Sequence, residues 1–356
     1  MKTLKIKSQN NRPLTSLNFA GGGFLAITSL KILIELEKMF LESLRKRFPE
    51  FQFENESPNY FPFHKLFDLI SGTSTGSIVA AALRKDLRPE EILSLYLKHG
   101  RSIFPGTLKR FWNKYISRGI FSAQGFSSPK YSSEPLIDLL RETLGTITLS
   151  ELNENGKLMI VAVDFEASDT LHFKSWKNEF ANLAVWEAVV SSCSADTFLP
   201  IHEIHYKDKE MFLVDGGTSG ANDPSLHAIV ELFKISKTSD MLIGSISTGQ
   251  KSRKLSGKKA KHWGSVQLVS NGILPRELLL RPEKSARRVG AYLVNEQELE
   301  NFYSFGTPAV FNSDEMDDAS ESQVQAMFED VNIYLNQPAT KAYMNSFVNR
   351  LLSLLE

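Results

Sequence analysis

Three times in this chain a short apolar run stops at a cluster of glycines: LTSLNFA ahead of Gly21-Gly22-Gly23, KLFDLI just ahead of Gly72-Thr73-Ser74-Thr75-Gly76, and MFLV ahead of Asp215-Gly216-Gly217. A buried strand delivered into a tight turn has this pattern, because glycine reaches backbone conformations that a β-carbon forbids. Helical periodicity follows the first two turns. Phe24 to about Arg47 carries Leu30, Leu33 and Ile34 at helical spacing, with Pro49 just beyond its end, and GSIVAAALR reads as a helix of small residues. Pro89 opens another helix, PEEILSLYLKH, in the position where its missing N–H costs nothing. Apolar runs at Leu158–Val163, Met211–Val214 and Met241–Ile246 add strands, with a helical stretch over Leu183–Ser192 between them. Such alternation predicts an α/β fold, a mostly parallel sheet covered by helices on both faces. With 356 residues, 42% of them hydrophobic, the chain can bury the core of one large domain.

The second cluster has the form of a nucleophile elbow. A strand, G-x-S-x-G and a helix place Ser74 on a sharp turn, its hydroxyl exposed beside the amino end of the next helix, where unpaired amides stabilise a developing negative charge. A plain strand-to-helix turn gives the same pentapeptide. Gly21 to Gly23 present bare amides beyond a strand end, suited to an oxyanion or to a phosphate. Asp215 ends a third apolar run, and if its strand is parallel to the others its carboxylate shares a crevice with Ser74; the alternative is an aspartate in a surface turn.

Charge and cysteine content narrow the setting. Acidic and basic side chains number 41 each, which excludes a global attraction to DNA or RNA polymers. The single cysteine, Cys193, cannot form an intrachain disulfide, and the first residues lack a secretory apolar core, so a reducing cytoplasm is expected. No run approaches the roughly 18 apolar residues of a spanning helix. Contact with a membrane would be peripheral, through two basic regions. Lys251–His262 holds six Lys or Arg and no acid, and Thr107–Phe121 mixes Lys109, Arg110, Lys114 and Arg118 with Phe111, Trp112, Tyr115 and Phe121. The latter falls in a candidate lid at about residues 100–132; a surface helix with solvated charges is the other reading. The seven histidines show no metal-ligand spacing: His202 and His205 of IHEIH would face opposite sides of a strand, and Asp164 reads as a turn or cap residue.

The three glycine clusters, in this order, resemble the patatin-like phospholipase family. SSCSADTFLPI (Ser191–Ile201), ISTGQ (Ile246–Gln250) and DEMDDAS (Asp314–Ser320) are similar to further family segments. The resemblance implies a single three-layer α/β/α patatin-like domain over residues 1–356. It further implies a lipid acyl hydrolase of phospholipase A type acting on membrane glycerophospholipids through a Ser-Asp dyad, with no metal or other cofactor. Ser74 would be the nucleophile and Asp215 the general base, raised by burial above its usual ~3.9. The amides of Gly21, Gly22, Gly23 and Thr75 would form the oxyanion hole, and Gly72, Thr73, Gly76, Gly216 and Gly217 would shape the elbow and the aspartate turn. Three positions depart from the family pattern. Phe24-Leu25-Ala26 stands where x-R-G is usual, so Leu25 replaces an arginine; Ser77 replaces a second glycine; and TSGANDP is one residue longer than usual and ends Asn222-Asp223-Pro224 rather than N-N-P.

Two other readings stay open: a Ser-Asp-His triad, with His227 or His262 as candidate base, and a noncatalytic lipid-binding protein. Some bacterial members of the family are antiphage effectors switched on by cyclic oligonucleotides. The resemblance therefore allows a cyclic-nucleotide activator, and it leaves homo-oligomerisation open.

Overall fold

Every residue of β1 (Leu14–Phe19) is buried, as is every residue of β2 (Leu69–Thr73). Strands covered on both faces read as continuous apolar runs rather than alternating ones. Alternation reappears in three dimensions along β3 (Lys157–Asp164). Its Leu158, Ile160 and Ala162 pack into the larger core cluster with Phe40, Leu44 and Phe347. Met159 and Val161 turn to a second cluster with Ile229, Leu232 and Phe302 on the opposite face.

The computed structural model describes residues 2–54, 56–103, 129, 131–195, 198–251, 258, 261, 263, 273–295, 300–309 and 316–356. β1 to β3 are joined by β4 (Asp169–Lys174), β5 (His202–Tyr206), β6 (Lys209–Asp215), β7 (Met241–Ile246) and β8 (Phe302–Phe305) in an eight-stranded sheet. Its order is β8-β7-β1-β2-β3-β6-β5, with β4 also on β3. Neighbours from β8 to β3 are parallel. β4 and β6 are antiparallel to β3, and β5 is antiparallel to β6.

The larger cluster joins the sheet to α1 (Ala26–Arg47), α2 (Thr75–Arg84), α3 (Pro89–Ile103), α4 (Glu134–Leu144), α5 (Val185–Cys193), α8 (Glu321–Asn336) and α9 (Pro338–Leu352). α6 (Ser225–Ser236) and α7 (Ile273–Val294) cover the opposite face. The three-layer α/β/α arrangement follows. α1 buries Leu30, Leu33, Leu36, Phe40 and Leu44 along one stripe and closes on Arg45, Lys46 and Arg47, cations at the negative end of the helix dipole.

The second strand begins later than its apolar run predicts. Phe63–Leu66 form a single tight turn, and the strand starts only at Leu69. Asp68 explains the delay: its carboxylate accepts two bonds from Arg12 at 2.7 Å and the Thr15 N–H at 2.9 Å, which ties residue 68 to the head of β1. Those contacts hold its carboxyl below the usual range although burial alone would raise it. The shift carries the strand two residues into the glycine motif.

Candidate functional site

Three strands meet β3, and their registers decide where the key residues fall. β2 lies along residues 157–161 of β3, β4 along 159–164 and β6 along 162–164. A strand has two edges. β4 overlaps both others and so takes one edge, while β2 and β6 share the second. They run toward each other along it and end face to face, Thr73 opposite Val161 and Asp215 opposite Ala162. Consecutive strand positions are about 3.3 Å apart, so Ser74, next after Thr73, adjoins the turn that begins at Asp215.

Gly216 seals this junction, since a methyl group there would lie 3.1 Å from Thr73 Cγ2 and would run into Val161 O. The parallel-crevice expectation for Asp215 is thereby corrected in its cause. The aspartate rides an antiparallel strand, and it reaches the level of Ser74 because β6 stops there.

Ser74 adopts φ 53 and ψ −134, a backbone region costly for any residue with a side chain. Several bonds hold it there. Its N–H donates to Ser192 Oγ at 2.8 Å, and that hydroxyl donates to Val161 O at 2.5 Å, so β3 and α5 grip the elbow together. Its carbonyl accepts the Ser77 N–H at 2.8 Å and the Ser77 hydroxyl at 2.6 Å. The departure at Ser77 thus adds a bond at the elbow. Gly72 and Gly76 permit the close crossing, because a β-carbon on Gly72 would strike the Gly76 carbonyl and one on Gly76 the Phe19 carbonyl. Thr75 Oγ1 is buried and has no hydrogen-bond partner among the described residues, while the Thr75 carbonyl accepts from Tyr96.

The glycine triplet leaves β1 directly against the elbow. A methyl group on Gly21 would come 2.8 Å from Ser74 Cβ. The loop rests on two segments whose role the sequence left unexplained. Thr248, from ISTGQ, bonds Gly21 O through its hydroxyl at 3.3 Å and fills the space beside Gly22. Met316, from the acidic turn, accepts the Phe24 N–H at 2.7 Å and crowds Gly23, whose φ is +60. Asn222 supplies a third support, its carbonyl accepting the Gly21 N–H at 3.1 Å. That bond corrects one expectation: the Gly21 amide, one of those assigned to an oxyanion hole, already donates within the fold. Leu25, where the family shows arginine, is buried in the larger core.

Asp215 is 5% exposed and accepts the Gly217 N–H at 2.7 Å. Its charge reaches Cys193, whose thiol is pushed well above its ordinary value by burial first and by the Asp215 carboxylate second, against a hydrogen bond with Ser77. Cys193 Sγ lies 3.9 Å from Ser77 Oγ, one turn along α2 from Ser74. A thiol so held is inert.

His227 is committed elsewhere. Its Nδ1 lies 2.8 Å from His172 Nε2 on β4, on the α6 side of the sheet. Burial, then coupling to the neighbouring His227 ring and the Lys174 and Lys234 cations, press His172 down to about 4 despite Glu231. Burial, then Arg141, does the same to His202 despite Glu203. Both imidazoles are neutral at pH 7. Between their usual 6.5 and about 4 the unfolded chain binds protons that the folded chain refuses, so stability falls as pH drops through that window. The thermal midpoint should decline from pH 6.5 to 4, with a shallower slope in His202→Gln; equal slopes would contradict this account.

His262 lies outside the described residues, as do Asp196, Thr197, most of Lys251–His262 and residues 104–128 of the candidate lid. Among the described residues one group could hold a metal ion, Glu203, His205 and Glu210, all exposed and toward the far end of the β5–β6 hairpin from Asp215. No helix among them is long and apolar enough to cross a membrane.

Comparison with known proteins assigns the site a lineage. The family model "Patatin-like phospholipase" matches residues 17–229, from β1 into α6 and across all three glycine clusters. The chain belongs to the patatin-like phospholipase family. It is 30% identical over 290 residues to "Patatin-like protein 3" of Arabidopsis thaliana, covering 70% of this chain and 63% of that one. It is 27% identical over 227 residues to the "cGAMP-activated phospholipase" of Escherichia coli strain TW11681, covering 62% of this chain and 56% of that one. A protein of the same description from Vibrio cholerae is 26% identical over 231 residues, covering 64% and 59%. The chain thus spans less than two thirds of the length of these relatives. In this patatin-like chain the small-residue helix end, Ser191 to Cys193, becomes the α5 terminus beneath the elbow.

Proposed function

We propose that the chain hydrolyses acyl esters of glycerophospholipids, with Ser74 as nucleophile and Asp215 as general base. The observation that carries this reading is the end-to-end meeting of β2 and β6, which sets Ser74 and a buried carboxylate at adjoining positions with the glycine loop against the serine. Ser74 Oγ attacks the ester carbonyl carbon while Asp215 accepts the hydroxyl proton. The tetrahedral oxyanion is held by the amides of Gly22 and Gly23 and by that of Thr75 at the α2 amino terminus. Collapse expels the lysolipid alkoxide, which takes the proton from Asp215. Water then attacks the acyl-enzyme while Asp215 accepts its proton; the second tetrahedral intermediate collapses, Ser74 Oγ leaves and regains its proton from Asp215, and free fatty acid departs. No step uses calcium.

The two relatives described as cGAMP-activated support an extension in which a cyclic nucleotide gates the activity. The test is fatty acid release from mixed phospholipid vesicles in excess chelator, with and without a cyclic-dinucleotide panel that includes cGAMP. Release of fatty acid and lysolipid in chelator is expected, enhanced by one panel member. Hydrolysis that needs added calcium overturns the mechanism, and release indifferent to the panel removes the gating.

A further inference from the structure

Asn222 grips the Gly21 peptide from both ends. Its backbone carbonyl takes the Gly21 N–H at 3.1 Å, and its Nδ2 faces Gly21 O at 3.4 Å. The second contact is long, so something else must orient the amide. Glu283 Oε2, on α7, accepts from Asn222 Nδ2 at 2.9 Å. A carboxylate only accepts, and it therefore selects the rotamer that turns Nδ2, not Oδ1, toward the Gly21 carbonyl. With the amide reversed, two oxygens would face each other in a buried space.

Glu283 is 1% exposed and needs a counter-charge. Arg287, one turn along α7, bonds Glu283 Oε1 through Nη2 and Asp223 Oδ2 through Nε, the latter at 2.7 Å. Asp223 also accepts from Ser245 Oγ at 2.6 Å and from the Ser225 N–H at 2.9 Å. Burial would raise its carboxyl, but Arg287 and these bonds bring it below the ordinary value. The aspartate that departs from the N-N-P pattern is thus half of an ion pair, and α7 is bolted through it to the residue beside Asn222.

We propose that Glu283 and Arg287 are positioning residues for the oxyanion loop: through the Asn222 amide they set the Gly21 carbonyl, and with it the direction of the Gly22 and Gly23 amides. The proposal rests on the Ser74 hydrolase reading, and its test separates the two. Glu283→Gln keeps an acceptor for Asn222 and loses the charge; Glu283→Leu loses both. On a soluble ester, Glu283→Leu should lower kcat about 30-fold or more with KM within about twofold, and Glu283→Gln should restore kcat to within about fivefold of the natural chain. Hydrogen exchange of the Gly21–Gly23 segment should quicken in Glu283→Leu and not in Glu283→Gln, with thermal midpoints lowered alike. Should Glu283→Leu not fold, Arg287→Lys is the milder lesion and should show the same split of kcat from KM at smaller size. Kinetics that merely follow the thermal midpoint, or unchanged exchange at Gly21–Gly23, overturn the proposal. If the natural chain hydrolyses nothing, the hydrolase reading falls, and the exchange comparison still decides the clamp.

Discussion

Ser74→Ala lowers phospholipid hydrolysis by on the order of 10⁴-fold or more, and Asp215→Asn by nearly as much, while both variants keep the thermal midpoint of the natural chain. Without its hydroxyl the elbow offers no atom to attack, and without a carboxylate the hydroxyl keeps its proton. Because the proposed mechanism joins the two groups in one step, the double variant is expected to be no worse than the poorer single one. Folding is spared because Ser74 is held by its backbone N–H and carbonyl rather than by its side chain, and asparagine retains an oxygen for the Gly217 N–H. His227→Ala should retain full activity, its imidazole being paired with His172. Initial rates of fatty acid release decide the matter. A His227→Ala chain as inactive as Ser74→Ala would replace the dyad with a triad.

Arg84→Met destabilises the chain by about 4 kcal/mol or more, a large share of the roughly 5–15 kcal/mol that holds such a domain. Arg84 ends the elbow helix and is 1% exposed. Its guanidinium donates to four backbone carbonyls: Lys157 at 3.1 Å, His64 at 3.3 Å, Asn155 at 3.1 Å and Phe67 at 2.7 Å. Burial presses it down to about 9, opposed by Asp68 and Asp86, and it is still charged at neutral pH. A methionine of similar volume fills the space but takes a donor from each of those buried or half-buried oxygens. Arg84→Lys, able to reach fewer of them, should fall between. Urea unfolding measures the loss, and a midpoint unchanged in Arg84→Met would refute it. Nothing in GSIVAAALR distinguishes this arginine from a solvated helix end, since the four carbonyls come from two segments distant along the chain, residues 64–67 and 155–157.

The elbow was readable in the chain because its parts are local. Gly72, Ser74 and Gly76 fall within five residues, between an apolar run and a helix of small residues, and φ restrictions act over that same range. The parallel core was readable for a similar reason, each buried run being separated from the next by a helical stretch long enough for a crossover. The shortfall began where partners are distant along the chain. The direction of β6 depends on which edge of β3 remains unoccupied beyond Thr73, and Asp215 reaches Ser74 only through that choice. Thr248 and Met316 look like ordinary loop residues until the triplet is laid against them. Asp223 reads as a small deviation until Arg287, 64 positions later, comes to lie across from it. Short-range steric rules are written residue by residue and can be read that way. Strand edges, buried charges and close backbone contacts are settled by which segments compete for the same space, and that competition exists only once the chain has closed on itself.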